Sequence, residues 1–330
     1  MSAPVRSRVW RHGRVEEVDL SQADLDARVR DPDCVVWVDL ADPDPATLAH
    51  LGHEIGMSSA SIEDALAPLE RPKVSRHPDG IAFVAYATDL GGPALDGDVT
   101  HGRLRMRRIS GFVTPTALVT VRPADFPIDG VIERWDSDPE LLEHGVGALL
   151  YGLLDALVDG HFATIQQLDD AIEGIEDALF DDTPGHTLVR DLYGIRKDLV
   201  RLRRVVLPMR EVVNALLRHR TTGDIELDAW YDDLYDHVLR AAEWTESLRD
   251  MVTTVFETNL SLQDRRLNVV MKQLAGWAAI IAVPTAITGW FGQNVPYLGF
   301  GKPIGVWMSV IAIVLSSSAL YLIFRRRDWL

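Results

Sequence analysis

The run LAGWAAIIAVPTAITGWF, Leu274 to Phe291, holds no charged residue, and after the loop GQNVPYLGFGKPIG a second uncharged run, VWMSVIAIVLSSSALYLIF, extends from Val306 to Phe324. At eighteen and nineteen residues, each is close to the ~20 that cross a bilayer as a helix. The pair therefore reads as two transmembrane spans joined by a short, almost uncharged loop. The chain's mean hydropathy of +0.02 hides this asymmetry, because everything before Leu274 is polar enough for water.

Charge separates the same two parts. From Leu274 onward the ionised side chains are Lys302, Arg325, Arg326 and Arg327 against Asp328, a net +3, so the first 273 residues carry -19 of the total -16. An acidic body repels nucleic-acid phosphates and suits cations as partners. Cys34 is the single cysteine, which rules out an internal disulfide and fits a reducing compartment. The first residues, MSAPVRSRVWRHGRV, lack the apolar stretch of a cleaved signal peptide. Arg265, Arg266 and Lys272 precede the first span, Arg325 to Arg327 follow the second, and the loop has only Lys302. That bias predicts cytoplasmic termini and an external loop.

Towards the N-terminus, CVVWVDL (Cys34–Leu40), IAFVAYATDL (Ile81–Leu90), RRISGFVT (Arg107–Thr114) and ALVTVR (Ala117–Arg122) read as strands, with helical segments between them. This is the pattern of a mixed α/β domain. From about Glu140 apolar residues recur at three- and four-residue steps, predicting one long helix to Phe180, a second from about Thr187 to Arg218 with a kink at Pro208, and turns at Asp181–His186 and Arg220–Asp224. From about Leu227 nothing forces a break before Pro284. A single helix from there to Phe291 has ~65 residues and spans ~100 Å.

Two seams run along that helix. Leu227, Leu234, Ala241, Leu248, Val255, Leu262 and Val269 form an apolar series in steps of seven, suited to packing. Asp236, Glu243, Asp250, Glu257 and Asp264 form an acidic series, roughly 140° away at 100° per residue. The acidic series continues as Met271, Ala278, Thr285 and Gly292, flanked by Asn268, Ala275, Ala282 and Gly289. An acidic helix face is ordinarily a solvated one. Here it leads into small and polar residues that allow close helix approach or line a narrow aqueous path. With several copies about one axis, acidic rings would feed cations into that path.

The segment NVVMKQLAGWAAIIAVPTAITGWFGQN, Asn268 to Asn294, together with SIEDALAPLERPKV (Ser61–Val74), ALVTVR and the basic tail, resembles the CorA family of magnesium channels over nearly the whole chain. The family's outer mouth has an aromatic residue followed by Gly-Met-Asn; this chain has Gly292-Gln293-Asn294. The resemblance implies an α+β cytoplasmic domain layered α/β/α, a stalk helix, two transmembrane helices and a funnel-shaped homopentamer in the inner or plasma membrane. The corresponding divisions are 1–140 for the α/β domain, 141–226 for a helical hairpin and 227–273 for the stalk. The first span then covers 274–291, the signature loop 292–305, the second span 306–324 and the tail 325–330.

By the same resemblance Gly292 and Asn294 form the selectivity mouth, with Gln293 between them reading first as a residue that holds the loop and second as a ligand, and Thr285, Leu274, Met271 and Asn268 line the pore, with Met271 and Leu274 at a hydrophobic constriction. Asp89 and Asp233 match the acidic pair that binds regulatory metal between subunits. The implied function is Mg²⁺ uptake gated by that metal, Mg²⁺ being both substrate and regulator. Gln293 in place of Met, and a loop with Lys302 but no carboxylate, leave Zn²⁺, Co²⁺ and Ni²⁺ open as substrates, Zn²⁺ as in the related ZntB-like transporters. A membrane-anchored interaction protein that moves no ion is the alternative class; it explains the apolar runs but not the polar seam. An enzyme has little support. His50 and His53 lack a third ligand at zinc spacing, and no nucleophile or phosphate loop accompanies Asp169-Asp170 or Asp181-Asp182.

Overall fold

The structure, a computed structural model, describes residues 5–54, 62–63, 70–78, 80–91, 103–179, 188–219, 225–293, 296–327 and 329. Turns read at Asp181–His186 and Arg220–Asp224, and half of the segment Ser61–Val74, lie outside these residues. The chain divides into two compact units, Met1–Thr253 and Thr254–Leu330.

The first unit is built on one seven-stranded sheet. Its strands are β1 (Val5–Arg11), β2 (Arg14–Val18), β3 (Cys34–Ala41), β4 (Lys73–His77), β5 (Gly80–Leu90), β6 (Leu104–Val113) and β7 (Ala117–Arg122), in the order β2-β1-β3-β7-β6-β5-β4. Only β3 and β7 run parallel; the other neighbours are antiparallel. The four strands expected from apolar runs are present. Strands β1, β2 and β4 are additional, β1 and β2 being paired through a tight turn at His12 and Gly13, both at positive φ. That conformation fits the right-handed twist of a hairpin.

Strand periodicity sends alternate side chains to two apolar layers. On one face Trp10, Trp37, Phe83, Ala85, Ile109 and Leu118 pack with helices α3 (Asp129–Ser137), α4 (Pro139–Leu142), α5 (Val146–Leu179), α6 (Leu188–His219) and the start of α7 (Ile225–Phe291). On the other, Val9, Val36, Val38, Leu40, Phe112 and Val119 meet Leu25 of α1 (Gln22–Val29) and Leu48 and Leu51 of α2 (Pro45–Glu54). The layering is thus α/β/α. Where one helix was expected from Glu140, the chain breaks at Gly145, whose φ of 78° lies in the left-handed region that glycine enters without a Cβ clash. Helix α6 continues through Pro208.

Trp135 centres the α3 side of the core, meeting Trp37 at 5.2 Å and Trp10 at 6.0 Å edge-on, an arrangement the aromatic quadrupole favours. Its indole N–H donates to the Leu149 carbonyl at 3.1 Å. Gly152 makes room: a Cβ there would lie 2.7 Å from the Trp135 Nε1.

Several buried polar groups in this core are paired, whereas the Trp10 indole N–H is buried without a hydrogen-bond partner among the described residues. Asp39, wholly buried, accepts from the Arg122 Nε at 3.0 Å and the Thr120 hydroxyl at 2.7 Å, and Arg122 Nη2 lies 2.8 Å from Asp39 Oδ2. Arg122 Nη1 donates onward to the Phe126 carbonyl at 2.9 Å, tying the end of β7 to the approach of α3. Asp198 on α6 accepts the backbone N–H groups of Arg103 and Leu104 at 2.7 and 3.2 Å. His161 on α5 is buried with its Nε2 2.8 Å from the Tyr86 carbonyl, so that nitrogen carries the proton. Burial pushes the His161 pKa down to about 4.

Two outcomes follow. Asp39→Ala strands a buried guanidinium and should lower unfolding stability by ~3–5 kcal/mol in chemical denaturation; an unchanged midpoint would exclude this pairing as a determinant of the fold. Because the folded state keeps His161 neutral down to about pH 4 whereas an unfolded histidine protonates near 6.5, its stabilisation is complete above 6.5 and is lost as pH falls towards 4. The loss reaches about 3 kcal/mol. His161→Gln should flatten the acid limb of a stability-against-pH curve over that interval, and an identical slope would count against it.

Candidate functional site

Among the described residues three helices are long and apolar enough to cross a membrane: α5, α7 and α8 (Pro303–Arg326). Helix α5 already has its partners, since 56% of its apolar window is buried inside the domain, against 6% for α7 and 0% for α8. In α7 and α8, Ile281, Trp290, Trp307 and Leu315 each expose about two thirds of their surface. Burying side chains of this size is worth ~1.5–3 kcal/mol apiece, which hydrocarbon provides and water does not. Aromatic residues mark both ends of the apolar band. Trp290, Phe291, Tyr297, Phe300 and Trp307 gather near the loop, and Trp277, Tyr321 and Phe324 lie thirteen to seventeen residues along the helices from Trp290 and Trp307, a rise of ~20–25 Å. Such belts sit at membrane–water boundaries.

The connecting loop is ordered by glycine and aromatic contacts. Gly292 N–H donates to the Thr288 carbonyl at 2.9 Å and Gln293 N–H to the Trp290 carbonyl at 3.3 Å, ending α7. Tyr297 then meets Phe291 at 5.0 Å and Phe300 at 5.4 Å, both edge-on. Gly299 and Gly301 have φ of 94° and 71°, values that disfavour a side chain. Gly305 packs so closely that a Cβ would come 2.6 Å from the Gly299 carbonyl oxygen. Pro303 opens α8 where its missing N–H costs nothing. The Gly-Phe-Gly spacing at Gly299–Gly301 was the sequence signal for this turn. Gln293 is exposed at the end of α7; Asn294 lies outside the described residues.

Within the second unit the expected pore residues fall on one stripe of α7. Asn268, Met271, Leu274, Ala275, Ala278, Ala282, Thr285, Gly289 and Gly292 occupy an arc of about 120° at 100° per residue, and all are exposed. Glu257 and Asp264, also exposed, fall in the same arc. Pro284 interrupts the helical ladder by withholding a donor from the Ile280 carbonyl. Next to it the Thr285 hydroxyl donates to the Ile281 carbonyl at 3.0 Å, and the Thr288 hydroxyl to the Thr285 carbonyl at 3.0 Å. With their protons turned into the helix, these hydroxyls present lone pairs outward.

In the first unit, Asp236, Glu243 and Asp250 are exposed along α7, and Asp250 accepts from Arg249 Nη2 at 2.9 Å. The apolar seam on the packing side is buried at Leu227, Leu234, Ala241 and Leu248. Asp233 is exposed, 3.7 Å from the His237 Nε2. Its negative field reaches Tyr151, whose hydroxyl is pushed up to about 12 by burial first and then by Asp155 and Asp233. Burial likewise raises the Asp155 carboxyl, opposed by Arg134.

Asp89 stands on β5 directly opposite Arg105 of β6. Arg105 Nε donates to it at 2.7 Å and Arg107 Nη1 binds its other oxygen, while Arg107 Nε reaches Asp125 at 2.7 Å. A cation binding Asp89 must therefore displace a guanidinium. The arginine partners were not anticipated: Arg105 and Arg107 are two apart and so share a strand face, but the sequence does not say which strand lies opposite. Among the described residues no three His, Cys, Asp or Glu side chains converge into a metal-binding group.

A layered α/β domain whose last helix runs on into an exposed apolar hairpin with a small, polar stripe defines a membrane protein of the ion-transporting class. Residues 33–326 match the family described as CorA-like Mg²⁺ transporter protein, and the chain belongs to that family. It is similar to YfjQ of Bacillus subtilis (strain 168), 30% identical over 274 residues and covering 82% of each chain. It is also similar to the cobalt/magnesium transport protein CorA of Methanocaldococcus jannaschii, 27% identical over 301 residues, with 90% of this chain and 92% of that one covered. The solved structure of the CorA magnesium transporter from Methanocaldococcus jannaschii superposes with a TM-score of 0.79 at 24% identity, over 100% of both chains.

Proposed function

We propose that this protein transports divalent metal cations across a membrane, with Mg²⁺ as its principal substrate, through a pore lined by α7 from several copies of the chain. The observation that carries this reading is the stripe from Asn268 to Gly292, where small and polar residues share one helix face in a segment whose other faces hold large apolar side chains. The stripe faces the axis of a homopentamer in this reading, and cytoplasmic termini with the Gly292–Gly305 loop outside agree with the basic flanks at Arg265, Arg266 and Arg325–Arg327.

Small side chains at Ala275, Ala278, Ala282 and Gly289 leave room along the axis, and Thr285 offers neutral oxygen. Mg²⁺ sheds water slowly, so amide oxygens of Gln293 and Asn294 at the mouth suit a hydrated ion held through water, tightly enough to enter and loosely enough to leave. Met271 and Leu274 provide the apolar constriction where a gate closes by excluding water. On the inner side the acidic residues from Asp236 to Asp264 raise local cation concentration.

Regulation rests on Asp233 and Asp89. Asp233 is the more accessible, and Asp89 binds metal only by giving up Arg105 or Arg107. Metal between neighbouring subunits offsets carboxylate repulsion and holds the gate closed; its loss at low Mg²⁺ opens it, with repulsion felt chiefly within the ~8 Å screening length.

Purified protein in liposomes should carry Mg²⁺ down its gradient, and Asn294→Ala should reduce that flux on the order of ten-fold or more, as expected for loss of a mouth ligand worth ~1.4 kcal/mol. No flux for any divalent ion, together with no effect of Asn294→Ala, would leave an anchored interaction protein as the better description. Running Zn²⁺, Co²⁺ and Ni²⁺ in parallel assigns the metal: Gln293 and the carboxylate-free loop favour the zinc alternative if Zn²⁺ outpaces Mg²⁺. Separately, Asp233→Lys should weaken Mg²⁺ protection of the sheet domain against protease, whereas undiminished protection would remove Asp233 from the regulatory role.

A further inference from the structure

Helix α6 carries a feature that transport does not use. Between Val189 and Arg204 it borders an open groove of about 1040 Å³ whose lining includes Val189, Tyr193, Lys197, Val200, Arg201 and Arg204. Val189, Tyr193 and Val200 expose 39%, 57% and 42% of their surface, enough to form an apolar centre edged by cations. Helix α5 offers the opposite charge, with Asp170, Glu173 and Asp177 exposed along one side.

The two faces stand at the same height in the domain. Trp244 of α7 donates to Asp169 of α5 at 3.2 Å, and Glu246, half a turn on, pairs with Arg203 of α6. Further along α7, Arg249 and Thr253 border the same small cavity as Arg196 and Val200. Helix α6 therefore descends as α5 and α7 climb. Asp170 is level with Arg204, and Asp177, seven residues later, is level with Lys197. Both steps are seven residues, or ~10.5 Å.

We propose that the basic groove of α6 receives the acidic side of α5 from the next copy of this chain, as the repeating contact of a closed ring. The inference rests on the ring assembly invoked above and names the surface that would close it. A cyclic ring needs two different, complementary patches on each copy. Rotation about an axis running along these helices changes no height, so only patches at equal height meet. Val189, Tyr193 and Val200 supply the desolvated centre, and the charged rungs select the partner and its register more than they add affinity. A net charge of -16 makes such a contact sensitive to salt.

The test uses the full-length protein in detergent micelles. Single-cysteine variants are co-expressed in pairs with tags of different size, so that only chain-to-chain products are counted, and native Cys34 is buried. Asp177→Cys with Lys197→Cys, and Asp170→Cys with Arg204→Cys, should give oxidative heterodimers on the order of ten-fold more abundant than Asp170→Cys with Arg190→Cys, a pair mismatched in height and so low in effective concentration. An oligomer by light scattering with no excess from either matched pair would overturn this contact while leaving the ring and the transport reading standing. A monomer would remove both. If the matched pairs fail and Arg201→Glu with Arg204→Glu abolishes binding to phosphatidylglycerol vesicles, the groove is a lipid surface and the proposal falls.

Discussion

A polypeptide entering hydrocarbon must satisfy its backbone N–H and C=O groups within itself, because no water remains to do so. Helix α7 meets that demand from Ile225 to Phe291, and most of the remaining structure accommodates it. In the sheet domain its apolar side is buried: Leu227 and Leu234 join the same core as the strands, and Ala241 and Leu248 are buried further along. Beyond that, the same backbone exposes Trp277, Ile281 and Trp290, which only an apolar solvent or another chain can cover. Where the ladder lacks a donor, at Pro284, threonine hydroxyls crowd around the neighbouring carbonyls.

The sheet domain solves a different problem, that of holding charge in a dry interior. Arg122 and Asp39 are both buried, yet every donor named there has an acceptor: the carboxylate takes Thr120 and the guanidinium, and the guanidinium reaches a backbone carbonyl. Pairs of this kind contribute little net stability but penalise any arrangement that separates them. Here the pair locks the parallel neighbours β3 and β7 to the turn that launches α3. The clustered tryptophans beside it fill volume without adding a polar demand beyond their indole N–H groups.

Legibility in the sequence varied with the range of the interaction. The two apolar runs were visible because span length and hydropathy are one-dimensional properties. Strands β3, β5, β6 and β7 were visible because β-branched and aromatic residues cluster in them. Strands β1, β2 and β4 were not read, since VRSRVWR, RVEEV and KVSRH are rich in charge and gain their strand identity from pairing. The long helix after Glu140 was read as one piece; Gly145 divides it through a backbone conformation that hydrophobic periodicity does not report.

By itself the sequence determined the two-solvent character of the chain, the seven-residue seams of α7 and the glycine-rich mouth, because each follows from local composition or helical period. Tertiary structure alone decided the strand order β2-β1-β3-β7-β6-β5-β4, the burial of apolar helix α5 within the domain, and the fate of individual carboxylates. Asp89 and Asp233 look alike as letters, yet β5–β6 register sets Asp89 against two arginines while Asp233 remains in solvent beside His237. The physical reason is that a charge is valued by what lies within a few ångströms of it, and those neighbours come from strands and helices far away along the chain.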